Sequence, residues 1–160
     1  MRKETIQTVI SVLSWSELSA EQQQLLDMAK KMTFQSYCPY SGFNVGAAAL
    51  LADGSVVTGS NQENAAYPSG LCAERTALFA ANANRPDQPV KILAIACRTR
   101  GSFTSKPGSP CGSCRQVMIE TEHRYGVPMQ VLLYGEQDVY VINSASDLLP
   151  FGFFSEDLNR

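Results

Sequence analysis

At 160 residues the chain has the length of a single domain, and 44% hydrophobic against 18% charged residues excludes a disordered polymer. A domain of this size buries roughly 68–70% of its unfolded surface, so it needs no disulfide staples. The net charge of −2, from 13 basic and 15 acidic residues, argues against a binder of nucleic acid or anionic membranes, and no apolar run approaches the roughly 18 residues that span a bilayer.

The N-terminal stretch imitates a targeting segment only in part. Arg2 and Lys3 are followed by Glu4, and Gln7, Thr8 and Ser11 interrupt the apolar residues between Ile6 and Leu13. It reads as part of the mature protein, an N-terminal extension over 1–18 ahead of a single domain over 19–160. Its Ile6, Val9 and Ile10 suit a strand, a helix or an interface. Without an export signal a reducing cytoplasmic location is expected, and the odd number of cysteines, 5, then favours metal or catalytic thiols over disulfides.

Ser19 and Gln22 form a capping-box pattern, and Leu25, Met28, Ala29 and Met32 follow at helical spacing, which predicts a helix over 20–35. Cys38-Pro39-Tyr40-Ser41-Gly42 ends it in a turn. Phe43 to Leu51 reads as a buried strand, Asp53-Gly54 as a hairpin turn and Ser55 to Gly59 as the returning strand. The polar stretch Asn61 to Leu71 reads as loop, and Cys72 to Asn82, rich in Ala with Glu, Arg and Leu, as helix. Val90 to Cys97 is a continuous apolar run, suited to a central strand covered on both faces. Arg98 to Ser109 is expected to be an exposed loop, after which Ser109 as N-cap and Pro110 at the first helical position start a helix ending near His123. Met129 to Tyr134 and Val139 to Ile142 are two further strands. The order α-β-β-α-β-α-β-β implies a mixed sheet with helices packed on it.

Cys72, Cys111 and Cys114 all fall at predicted helix starts, and the last two, three apart, share one helix face. Helix N-termini are positive and lower a thiol's pKa, which favours the thiolate that a metal requires. Three thiolates suit zinc or an iron–sulfur centre. A structural zinc site is normally closed by a fourth protein ligand, yet the lone histidine, His123, lies about 13 Å along its helix from Cys114 at 1.5 Å per residue. Three ligands leave one position for water, and Glu74, two residues after Cys72, is placed to take a proton from it. Cys38 and Cys97 read as small packed side chains, His123 as a solvated cation at a helix C-terminus, and Glu156 with Asp157 as a solvated tail.

Cys72-Ala73-Glu74 and Pro110-Cys111-Gly112-Ser113-Cys114 match the signature of the zinc nucleobase deaminases. The flanking segments Phe43 to Ala47, Asn61 to Tyr67, Cys72 to Ala77, Pro110 to Gln116, Leu148 to Pro150 and Ser155 to Leu158 resemble the free-nucleoside cytidine deaminases, over roughly residues 20 to 158. That resemblance implies an α/β fold, a three-layer α-β-α sandwich around a five-stranded mixed sheet. It implies one zinc ion per subunit on Cys72, Cys111 and Cys114, Glu74 as proton shuttle, and conversion of cytidine or deoxycytidine to the uracil nucleoside and ammonia in pyrimidine salvage. By the same resemblance Asn61 and Glu63 bind the sugar hydroxyls, Phe43 stacks on the pyrimidine, the N–H of Ala73 bonds the base carbonyl, and Tyr67 closes that segment. The resemblance also implies that Phe153, within the aromatic run 151–154, is lent to a neighbouring subunit of a homotetramer with shared active sites. The expected partner is therefore a small nucleoside, with no nucleic acid and no membrane. Arg75 has a physical role of its own, since a guanidinium on the sulfurs withdraws charge from a centre that three thiolates make negative. Two other readings are a deaminase of the same fold acting on another aminopyrimidine nucleoside or a nucleic-acid base, which calls for a basic groove, and a non-catalytic zinc module, which calls for a fourth ligand.

Overall fold

A computed structural model describes residues 1–158. Seven strands form one sheet: β1 (Ser11–Leu13), β2 (Phe43–Leu51), β3 (Val56–Ser60), β4 (Val90–Thr99), β5 (Ser102–Phe103), β6 (Gln130–Tyr134) and β7 (Val139–Ile142). The spatial order is β1-β7-β6-β4-β2-β3, with β5 pairing back on the end of β4. Only β4 and β6 run parallel, and the crossover between them is the helix α3 (Gly112–Tyr125), the connection that a parallel pair requires. A fourth, short helix, α4 (Ser155–Leu158), ends the described chain.

The pleat sorts β2 and β4 into two faces, although both strands read as unbroken apolar runs. Ala48, Leu50, Ile92, Ala94 and Ala96 face α1 (Ala20–Met32) with its Leu25, Leu26 and Ala29. Ala47, Ala49, Leu93, Ile95 and Cys97 face the other layer, α2 (Ala73–Asn84) and α3. Helix, sheet and helix pair thus make three layers. Alanine-rich strands let the helices come close, and glycine takes this further at two positions. A Cβ on Gly46 would run into the backbone of Ala29, and one on Gly59 would lie 2.5 Å from Ala77 N and 2.7 Å from Ala73 O. The bare backbone of Gly59 therefore seats the first turn of α2 directly on β3.

The boundaries expected from sequence hold in the centre and shift at functional places. Helix α1 is capped by Ser19 with Gln22 as expected, and passes at Thr33 into a 3₁₀ turn that ends at Gln35. The five strands expected from the sequence run β7-β6-β4-β2-β3 across the sheet, and two short ones extend it. The N-terminal segment adds β1 antiparallel to β7. In the expected loop, Arg100 (φ 51°) and Gly101 (φ 86°) make a tight turn that folds β5 onto β4; positive φ at both central residues matches the right-handed twist of hairpin strands. Helix α3 begins at Gly112 with Cys111 as N-cap, two residues later than Ser109-Pro110 suggests, and the cap itself is in extended backbone. Gly126 in the left-handed region stops it. Among the described residues no helix is long and apolar enough to cross a membrane.

Candidate metal centre and substrate cleft

Cys72 is the N-cap of α2 and Cys111 the N-cap of α3, each in extended backbone with no side-chain capping bond of its own. Cys114 sits on the first turn of α3, fully buried. The sheet holds the two helix starts together, so the three Sγ atoms lie within 4.8 Å of one another, with Cys72 to Cys111 at 3.9 Å and Cys111 to Cys114 at 3.5 Å. Zinc–sulfur bonds of about 2.3 Å at tetrahedral angles place sulfurs about 3.8 Å apart. The donor set and its spacing fit zinc. No fourth histidine, cysteine or carboxylate among the described residues joins the cluster.

Of the three sulfurs, that of Cys72 is held toward the thiolate that a metal requires. A hydrogen bond from Cys114 lowers the Cys72 thiol to about 5, helped by Arg75 and Cys111. The same contact, with burial, pushes Cys114 up. Arg75 reaches the cluster as expected, its Nη2 at 3.8 Å from Cys72 Sγ, and its Nε is buried with no hydrogen-bond partner. Glu74 is 4% exposed. Burial raises its pKa, and the nearby charge of Cys72 adds to the effect, so the carboxyl holds a proton more readily than an ordinary glutamate.

These groups lie along one cleft of about 700 Å³. Phe43, Asn61, Glu63, Tyr67, Cys72, Glu74, Arg75 and Cys111 all line it. Phe43 starts β2 at the mouth and is 39% exposed. Asn61 is spent partly on the fold: its amide accepts from Val45 N at 2.8 Å and donates to Phe43 O at 2.8 Å, pinning the end of β2. Glu63 accepts from the N–H groups of Tyr40 at 2.8 Å and Ser41 at 3.2 Å, and hydrogen bonding by Ser41 holds its carboxyl below the usual range. Tyr67 lies in a 3₁₀ turn, its ring edge-on to Tyr40 at 5.8 Å. Ala73 is the first residue of α2, its side chain buried and its N–H one of the donors that a helix start leaves without an intrahelical acceptor. Ala73, Cys114 and Phe153 are the expected site residues that do not line this cleft: the first two are buried next to residues that do, and Phe153 lies on the C-terminal segment. Its backbone N–H and C=O are both bonded by the Gln116 side chain, at 3.1 and 2.7 Å, and its ring is 56% exposed.

Sequence reasoning missed Cys97 and Gly108 as parts of the cleft. Cys97 lines it, and burial together with the Glu74 charge pushes its thiol up to about 12, which keeps it a neutral thiol rather than a ligand. The alternation of β4, with Leu93, Ile95 and Cys97 on one face, was the available signal. Gly108 backs onto that sulfur, so close that a Cβ there would lie 2.6 Å from Cys97 Sγ.

Residues 19–128 match the family described as the cytidine and deoxycytidylate deaminase zinc-binding region. A cytidine deaminase from Halalkalibacterium halodurans is 41% identical over 142 residues, covering 87% of this chain and 98% of that protein. One from Sporosarcina psychrophila is 39% identical over 145 residues, covering 86% and 94%. Among solved structures, a cytidine deaminase from Burkholderia pseudomallei superimposes with a TM-score of 0.69 at 44% identity, covering 81% of this chain and 97% of that one. The Mycobacterium tuberculosis cytidine deaminase superimposes at 0.66 with 33% identity, covering 85% and 99%.

Proposed function

The chain belongs to the cytidine and deoxycytidylate deaminase family, and from that premise we propose how its own residues carry out the hydrolysis of cytidine and deoxycytidine to uridine and deoxyuridine with release of ammonia. The observation that carries the reading is the trio of sulfurs at two helix N-termini, beside a buried carboxyl, in one cleft. Cys72, Cys111 and Cys114 hold the zinc ion, which when bound lowers the pKa of a water to about 7 and makes hydroxide available at neutral pH.

Glu74 moves the protons. It takes one from the attacking water and gives it to ring N3 as the new C4–O bond forms, then carries the second, from the new C4 hydroxyl, to the exocyclic amine as the C4–N bond breaks and the C4 carbonyl forms, so that water and nucleoside leave as ammonia and the uracil nucleoside. Its raised pKa suits both directions of transfer. Arg75 draws charge off Cys72 and so keeps a three-thiolate centre sufficiently electrophilic. The Ala73 N–H orients the base carbonyl, Phe43 stacks on the ring, and Asn61 and Glu63 meet the sugar hydroxyls. Glu63 suits that task because it is held ionised and aligned by Tyr40 and Ser41. A reducing cytoplasmic setting and a role in pyrimidine salvage agree with five cysteines that form no disulfide and a cleft with room for a nucleoside. Phe153, exposed and fixed through its backbone, is presented to a neighbouring subunit of a homotetramer. Zinc content measured on the same preparation as ammonia release from cytidine tests the reading: about one zinc per chain with release supports it, and release unaffected by complete zinc removal overturns it.

A further inference from the structure

Four segments far apart in sequence meet around one lysine. Lys30 Nζ, on α1, stands 4.7 Å from the ring centre of Tyr134, 5.0 Å from that of Trp15 and 5.5 Å from that of Phe103. Trp15 meets Tyr134 edge-on at 6.0 Å, and Phe103 does so at 5.5 Å. Asp27 anchors the ammonium from the same helix at 3.3 Å. Cation–π and edge-to-face contacts of this kind are directional, so they fix ring positions as well as adding attraction. Trp15 comes from the stretch ahead of residues 19–128, outside the family match.

The box sits at one end of a segment whose other end is the site. After Phe103, Thr104 and Ser105 accept hydrogen bonds from Glu136 N and Gln137 N, each at 3.0 Å, in the turn that follows Tyr134. Thr104 N donates to Cys97 O at 3.0 Å. Pro107 fills the space beside Gly135, where a Cβ would lie 2.7 Å from its ring. Gly108 then lies on the Cys97 sulfur, Gly108 and Ser109 line the cleft, and Cys111 follows as a sulfur donor. These hydrogen bonds run to β4 and to the β6–β7 turn, and Trp15 packs edge-on against Tyr134, the residue from which that turn departs.

We propose that Trp15 and Lys30 are positioning residues for the 108–111 wall of the substrate cleft. The N-terminal segment then contributes to binding without touching substrate. The kinetic part of the test rests on the cytidine deaminase reading, while the exchange part does not. Full-length wild type, Trp15→Ala, Trp15→Phe, Lys30→Gln and Lys30→Arg are compared for kcat and KM on cytidine, zinc content and amide hydrogen exchange, with Glu122→Gln as a destabilised control remote from the box.

Trp15→Ala and Lys30→Gln are expected to raise KM about tenfold with kcat within about twofold and zinc retained, since a shift of ~1 Å in a positioning wall can cost up to about 10²-fold. Exchange should quicken locally at the amides of Thr104, Glu136 and Gln137. Trp15→Phe and Lys30→Arg, which keep a ring and a cation, should restore most of both. Unchanged KM, or exchange that rises no more at these amides than in Glu122→Gln, overturns the proposal. Should the wild type fail to deaminate cytidine, the functional reading falls and the exchange result alone decides the box.

Discussion

Glu74 is nearly sealed from solvent, next to sulfurs that carry negative charge in any metal-bound state. A carboxyl so placed is costly unless it is used. On the proposed mechanism Glu74→Gln keeps the shape but loses the proton shuttle, so it should bind zinc at wild-type stoichiometry while kcat falls by roughly 10²–10⁴-fold, the usual worth of a positioned acid–base. Arg75 makes a different prediction. Its contact with Cys72 Sγ is a charge contact to a ligand, so Arg75→Ala should lower kcat more than it lowers zinc occupancy; full activity in that variant would end the charge-tuning account. At this scale the sequence spoke clearly. Cys72, Glu74, Cys111 and Cys114 were legible because the chemistry needs those residue types at short, helix-compatible spacings. Cys97 was not, because a lone cysteine in an apolar strand looks the same whether its face meets a core or a cleft.

The elements turn a short motif into a geometry. Helix α2 can deliver Cys72 to the cluster because Gly59 leaves room for its first turn against β3. Gly59→Ala should therefore cost roughly 1–3 kcal/mol of stability through overpacking, seen as a lower thermal midpoint, with weaker zinc retention as the helix start is displaced. At the other end of α3, Glu122 receives the N–H groups of Met129 and Ala145, each at 2.8 Å, and the hydroxyls of Ser144 and Ser146. It ties the helix to the start of β6 and to the turn after β7. Burial alone would raise its pKa, but these hydrogen bonds outweigh it and hold the carboxyl below the ordinary 4.5. The depressed folded-state value means that its stabilisation is complete above that pH and is lost as pH falls below it. Glu122→Gln should be less stable than wild type at neutral pH by about 1–3 kcal/mol, and the gap should narrow on acidification through that window, as denaturation midpoints across pH will show. The late start of α3 and the β4–β5 hairpin were the elements misread. Ser109-Pro110 carries the local chemistry of a helix start, and only the placement of Cys111 beside Cys72 decides where the first turn forms.

For the whole molecule, the C-terminal aromatic run is the feature a monomer explains least. Phe151 is 88% and Phe153 56% exposed, while Gly152 is packed against Ile119 and Phe153 is gripped through its backbone by Gln116. A segment so firmly held with the rings of Phe151 and Phe153 outward suits the shared-site proposal. Under it, sedimentation should give a tetramer, and mixing Phe153→Ala with Glu74→Gln subunits should produce hybrids more active than either parent, because each supplies what the other lacks. Mixtures no more active than the average of the parents would show that Phe153 works within its own subunit or not at all.

By itself the sequence determined the alternation of helices and strands and singled out the three cysteines proposed to hold the metal and the acid beside them, since propensity, capping and ligand chemistry act over a few neighbouring residues. Tertiary structure alone decided that the N-terminal segment supplies an edge strand and a tryptophan to the Lys30 box, that Cys97 and Gly108 face the cleft, and that two helix starts nearly forty residues apart bring their sulfurs to 3.9 Å. Those outcomes depend on which surfaces meet across the sheet, and a one-dimensional pattern carries the period of a strand but not the identity of its neighbour.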